Sequence, residues 1–127
     1  MQAIQARPIV QTFPNPLEGK QAVISHTMPD HECFCKECPV LETVTLEVAY
    51  IPDKLCLEIH SLKEYWISFQ SQGLWYENVL SQAYDEIYNC CSPKWLRITG
   101  EFITENGITS KIKVEKTPCP DYSHPIM

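Results

Sequence analysis

The chain has 127 residues, 44% of them hydrophobic, and carries 10 Lys and Arg against 16 Asp and Glu for a formal net charge of −6. That length suits one globular domain with a modest core and leaves no room for a second full one. The acidic balance argues against a nucleic-acid surface, which needs cations to displace the counterions of phosphates, and favours a small-molecule partner.

No stretch is apolar over the roughly eighteen residues a membrane span requires. The opening MQAIQARPIV lacks the apolar core and small-residue cleavage site of a secretory leader, so the expectation is a cytoplasmic protein without membrane contact. Seven cysteines in a reducing compartment are free thiols, metal ligands or a nucleophile more readily than a bridge framework.

Along the chain, residues 1–20 hold Pro8, Pro14 and Pro16 among mostly polar neighbours with no period, which predicts an extended arm. Residues 118–127 form a similar tail, and both ends are expected to be loosely held around a single domain over 21–117. The stretch HECFCKECPVLE, from His31 to Glu42, then packs Cys33, Cys35 and Cys38 into six positions. With His31 these are ligand types zinc prefers, and Cys35-x-x-Cys38 has a knuckle-like spacing. A structural zinc site takes a second pair from a distant segment, however, and neither Cys90-Cys91 nor Cys119 repeats the spacing, so no metal is expected. A Cys35–Cys38 disulfide formed on oxidation and a loop presenting one reactive thiol are the other readings.

TVTLEVAYI at 43–51 alternates, with Val44, Leu46, Val48 and Tyr50 on one face, and predicts a half-buried strand. Pro52-Asp53 supplies a turn, and LCLEI at 55–59 reads as the returning strand of a hairpin. Leu62, Tyr65, Trp66 and Phe69 then fall on the stripe of an amphipathic helix, with Ser61 and Glu64 as a capping box and Gly73 as its stop. Tyr76, Leu80, Ala83, Tyr84 and Ile87 mark a second helix. WLRITGEFI at 95–103 returns to strand alternation, Glu105-Asn106-Gly107 turns the chain, and Ile108, Ser110, Ile112 and Val114 line a fourth strand. The order ββααββ predicts an α+β fold, an antiparallel four-stranded sheet with two helices on one face. Its open edges are the ground for expecting a homo-oligomer.

Three segments together, VISHTMPDHECFC, VAYIPDKLCLEIHSLKEYWISFQSQGLWYEN and SPKWLRITGEFITENGIT, resemble the tunnelling-fold (T-fold) enzymes. Within them they are most similar to the QueF-type nitrile reductases, which convert 7-cyano-7-deazaguanine (preQ0) to its aminomethyl form in queuosine tRNA modification. The resemblance runs in order through most of the chain between its two ends. It implies NADPH as hydride donor, a small-molecule 7-deazaguanine substrate without direct nucleic-acid binding, and rings whose active sites lie between subunits. By position it places Cys35 on the nucleophile and Glu42 on the acidic proton donor, normally an aspartate. Glu77 falls on the glutamate that recognises the base edge, with Tyr76 beside it. Leu57, Glu58 and Ile59 fall on a substrate-contacting strand end, and His60, Ser61 and Lys63 on the NADPH segment. The sequence departs from the family pattern in Lys36-Glu37-Cys38-Pro39-Val40-Leu41 after the nucleophile, in Ile59 for a serine, in His60 for a lysine and in Tyr76 for a histidine.

The implied chemistry suits these residue types. A thiolate at Cys35 adds to the weakly electrophilic nitrile carbon to give a thioimide, helped by nearby positive charge or a helix dipole. Glu42 donates the proton to nitrogen, which asks for burial to raise its pKa. Glu77 accepts hydrogen bonds from the ring N–H and exocyclic amine, while Trp75 or Tyr76 packs on the ring face. A first-turn glutamate is also favoured by the helix dipole alone. Two other functions would keep the same residues: an amidine-forming transfer in which ammonia attacks the thioimide, and a purine- or pterin-binding domain without chemistry.

Overall fold

In the computed structural model, residues 9–34, 41–69, 75–103 and 107–120 are described. Among them the chain runs β1 (Thr12–Pro14), β2 (Ile24–Phe34), β3 (Leu41–Ile51), β4 (Leu55–Leu57), α1 (Ile59–Ile67), α2 (Tyr76–Cys91), β5 (Trp95–Ile103) and β6 (Thr109–Glu115). The main sheet has the order β2-β3-β5-β6, every pair antiparallel, and β1 pairs with β4 in a separate ribbon. The helices cover one face. Val44, Leu46, Val48 and Tyr50 of β3 and Leu96, Ile98 and Phe102 of β5 are buried there against Leu62, Tyr65 and Trp66 of α1 and Leu80, Ala83, Tyr84 and Ile87 of α2. The opposite face carries a small cluster of Ala49, Ile51 and Trp95, and beyond it the polar side chains of Glu101, Lys111 and Lys113. The ββααββ order and the α+β layer are as the periodicity predicts.

Two pairings differ from the sequence expectation. The partner of β3 in the first hairpin is β2, not residues 55–59, and β4 leaves the sheet to meet β1 through Thr12↔Leu57, Phe13↔Cys56 and Pro14↔Leu55. β2 escapes the periodicity because it is an edge strand. Its helix-side residues Ile24, His26 and Met28 are only half covered, and a register shift between Met28 and His31, at Pro29, breaks its alternation.

The segment expected to be a loose arm is docked from residue 9 through residue 17. Val10 enters the core, and the buried Asn15 is hydrogen-bonded through its backbone N–H and both ends of its side-chain amide. Its backbone N–H donates to Lys54 O at 2.9 Å, its side-chain amide to Asp53 O at 2.9 Å, and its Oδ1 accepts from Leu17 N–H at 2.8 Å and Cys56 Sγ at 3.4 Å. One asparagine therefore fixes the turn between β3 and β4.

Sheet and α2 pack tightly at Gly100. A Cβ there would lie 2.8 Å from the Phe102 ring and 3.2 and 3.3 Å from the two methyls of Leu80. Gly100→Ala is expected to lower stability by about 1–3 kcal/mol through overpacking, read as a shifted urea midpoint with unchanged slope.

Candidate active site

The antiparallel registers decide which candidate residues share an end of the sheet. Cys33 stands opposite Glu42 in the β2–β3 pair, and Val44, two residues on, stands opposite Phe102 in the β3–β5 pair. Phe102 is buried, and the ring of Tyr76 stacks on it with centroids 4.0 Å apart and planes 25° apart. Glu77 follows in the first turn of α2 with an exposed side chain. Glu42, Tyr76 and Glu77 thus belong to one end of the sheet. Cys35 and Cys38 lie outside the described residues.

The other candidates belong to the opposite end. The hydroxyl of Tyr50, eight positions along β3 from Glu42, accepts the backbone N–H of Leu57 at 2.9 Å. At the strand rise of about 3.3 Å per residue, eight positions are roughly 26 Å. Leu57 is a core residue, whereas Ile59, beginning α1, is exposed.

Glu58, not Ser61, is the N-cap of α1. Its Oε1 accepts the Ser61 N–H at 2.8 Å and its Oε2 the His60 N–H at 2.9 Å, with His60 Nδ1 2.8 Å from the same oxygen. Ser61 Oγ donates to Glu58 O at 2.9 Å and accepts the Gln11 N–H at 2.7 Å, and the Glu58 N–H in turn donates to Gln11 O at 2.9 Å. Both side chains are therefore spent on holding the helix start against the chain leading into β1. The sequence cue S-x-x-E was real in type but set three residues too late.

Between β2 and α1 runs a groove of about 690 Å³, with Ser25, His26 and Met28 on the strand side and Ile59, His60, Lys63 and Ile67 on the helix side. His60 and Lys63 are exposed along its rim. Cationic or donor groups beside an apolar wall suit a phosphate-bearing dinucleotide, so the residues present fit NADPH. His26 was not singled out from the sequence, because the strand that carries it was not. It is half-buried, its ring 6.2 Å from that of Tyr50, and burial pushes its pKa below the ordinary 6.5.

The thiols of the core are poor nucleophiles. Cys56 and Cys91 are buried, and burial with neighbouring thiols pushes Cys91 up to about 12. Among the described residues no three His, Cys, Asp or Glu side chains gather where they could hold a metal ion.

A family model described as "QueF-like protein" matches residues 43–120. The chain belongs to the QueF-like family. It is 34% identical over 106 residues to a protein of Nitrosococcus oceani, covering 84% of this chain and 82% of the relative. It is 33% identical over 116 residues to one of Nitrosospira multiformis, covering 87% and 84%, and 32% identical over 106 residues to one of Thiobacillus denitrificans, covering 84% and 76%. Each of the three is named "NADPH-dependent 7-cyano-7-deazaguanine reductase".

In this QueF-like chain the Glu58 cap leaves a signature in acid. The backbone N–H donors of Ser61 and His60, with the His60 ring, hold its carboxyl down to about 2 from the ordinary 4.5. A depressed carboxyl contributes its stability in full above pH 4.5 and loses it as pH falls from there through about 2. Urea midpoints of Glu58→Gln should consequently fall below wild type at neutral pH, and the gap should close across that acid window.

Proposed function

We propose that this protein is an NADPH-dependent reductase that converts the nitrile of 7-cyano-7-deazaguanine to the aminomethyl group, as a cytoplasmic homo-oligomer in queuosine tRNA modification. The observation that carries the reading is the similarity, over 84% of the chain, to a protein named for this reaction. The register agrees with it, since β2 ends on Phe34, next to Cys35, and pairs Cys33 with Glu42.

Substrate is held by its base edge. Glu77 accepts the ring N–H and the exocyclic amine, a paired contact that a carboxylate makes with a guanine-like edge. The Cys35 thiolate then attacks the nitrile carbon, and Glu42 passes a proton to the nitrile nitrogen, so that a C–S bond and an N–H bond replace one π bond of the nitrile. NADPH, when bound, supplies the hydride to this carbon. Lys63 and His60 would hold its phosphates at the rim of the groove, and the Glu58–Ser61 knot fixes the helix start that carries them. As the C–S bond breaks, Cys35 leaves as thiolate and an imine remains. Reduction to the amine requires a second hydride and a further proton.

Glu42 and Glu77 on one side and Glu58–Lys63 on the other stand at opposite ends of the same sheet. A substrate and its reductant must meet within bonding distance, so the site is completed by joining the two ends from different copies of the chain. The exposed edges β2 and β6 offer the pairing surfaces for such an assembly.

Incubated with 7-cyano-7-deazaguanine in the absence of reductant, the protein should gain the mass of one substrate, and peptide mapping should place it on Cys35. Cys35→Ala should gain nothing. Glu42→Gln should form the adduct more slowly, by on the order of 10²-fold. Failure of the wild type to form any adduct would falsify the thioimide route.

A further inference from the structure

Tyr76 stands where the sequence suggested a ring packing on substrate, but its face is turned to the protein. Its ring stacks on Phe102 with centroids 4.0 Å apart, and Phe102 is itself buried. Gly100, two residues earlier on the same face of β5, leaves the space that the Phe102 ring and Leu80 of α2 fill. Trp75, the N-cap of α2, makes no side-chain capping bond among the described residues and is 51% exposed. α1 is different, because Glu58 ties down two of its first N–H groups. An uncapped first turn frays more readily than a capped one. The first turn of α2 meets the core through the buried Val79 and the sheet through the ring of Tyr76, its first residue, and Glu77 is the very next residue.

We infer that Tyr76 and Phe102 are positioning residues for Glu77: the stack fixes the first turn of α2, and with it the direction in which the carboxylate meets the guanine-like edge. The inference rests on the proposed role of Glu77. It also gives the histidine-to-tyrosine departure at this position a physical use, since the tyrosine ring is spent against the core. A stacked aromatic pair is worth about 0.5–1.5 kcal/mol beyond its buried area. Its loss would loosen the residues ahead of Val79, Glu77 among them, without unfolding the helix, whose inner face remains held by Val79, Leu80, Ala83 and Ile87.

The test compares two substrates, 7-cyano-7-deazaguanine and 7-cyano-7-deazahypoxanthine, which lacks the exocyclic amine and keeps the ring N–H. Hydrogen bonds to a charged group give a wild-type preference in kcat/KM on the order of 10- to 100-fold for the guanine compound. Glu77→Gln should collapse that preference, and so should Tyr76→Ala and Phe102→Leu, chiefly through a raised KM for the guanine compound and with kcat held within a few-fold. Tyr76→Phe, which keeps the ring, should restore it. Tyr76 is only half-buried, so its variant reports even if Phe102→Leu fails to fold. If Glu77→Gln collapses the preference while Tyr76→Ala lowers kcat/KM equally for both compounds, positioning is overturned and the ring is merely structural. If Glu77→Gln itself leaves the preference intact, the role of Glu77 falls, and the inference with it.

Discussion

The double pairing of β3 is the constraint from which the rest of the arrangement follows. Hydrogen-bonded to β2 along one edge and β5 along the other, and buried on its helix side at Val44, Leu46, Val48 and Tyr50, it cannot slip by one residue without turning that whole set to the polar face. Its register therefore decides both ends of the molecule together. At one end it aligns Glu42 with Cys33 and brings Val44 opposite Phe102, and so under Tyr76. At the other, its Tyr50 hydroxyl receives Leu57 and sets where α1 begins. The candidate chemistry is divided between two ends of one strand by the same pairing that stabilises the fold.

Each end solves the problem of a helix start in its own way. α1 begins on a polar knot, in which Glu58 satisfies two backbone donors, Ser61 closes back on Glu58, and Gln11 locks both to the preceding ribbon. α2 begins on an aromatic stack over a glycine-made recess. A polar cap consumes the functional groups it uses, so Glu58 and Ser61 support their neighbours through the helix start itself. The stack consumes a ring face and leaves the adjoining carboxylate exposed. The two helices are joined by the Tyr65 hydroxyl of α1, which donates to Glu86 of α2.

Much of this is visible in the sequence, and the parts that are not share a cause. β3, β5, both helices and β6 show themselves because each has one face in the core and one out, and burial of alternate or stripe positions imposes a period. β2 has no such contrast: an edge strand interrupted at Pro29, with His26 and Met28 half covered, looks like loop text. Missing it gave β3 the wrong hairpin partner and hid His26 and the groove it lines. β1 is only Thr12–Pro14, too short for any period, and its place depends on the distant turn that Asn15 binds. The cap at Glu58 was misplaced because Ser61 and Glu64 also satisfy the local rule, and only the path of the chain at Leu57 decides between them. The candidate site residues come from resemblance rather than from pattern, since an exposed Glu77 or Lys63 bears no mark of burial that a period could reveal.

The central claim is that this chain carries a nitrile through to an amine, and the stoichiometry of the reaction tests it most directly. With 7-cyano-7-deazaguanine as the limiting reagent, the account predicts two NADPH oxidised for each nitrile consumed, with the aminomethyl compound as the product identified by mass. Nitrile consumption without NADPH oxidation, or an amidine formed only when ammonia is supplied, would contradict it.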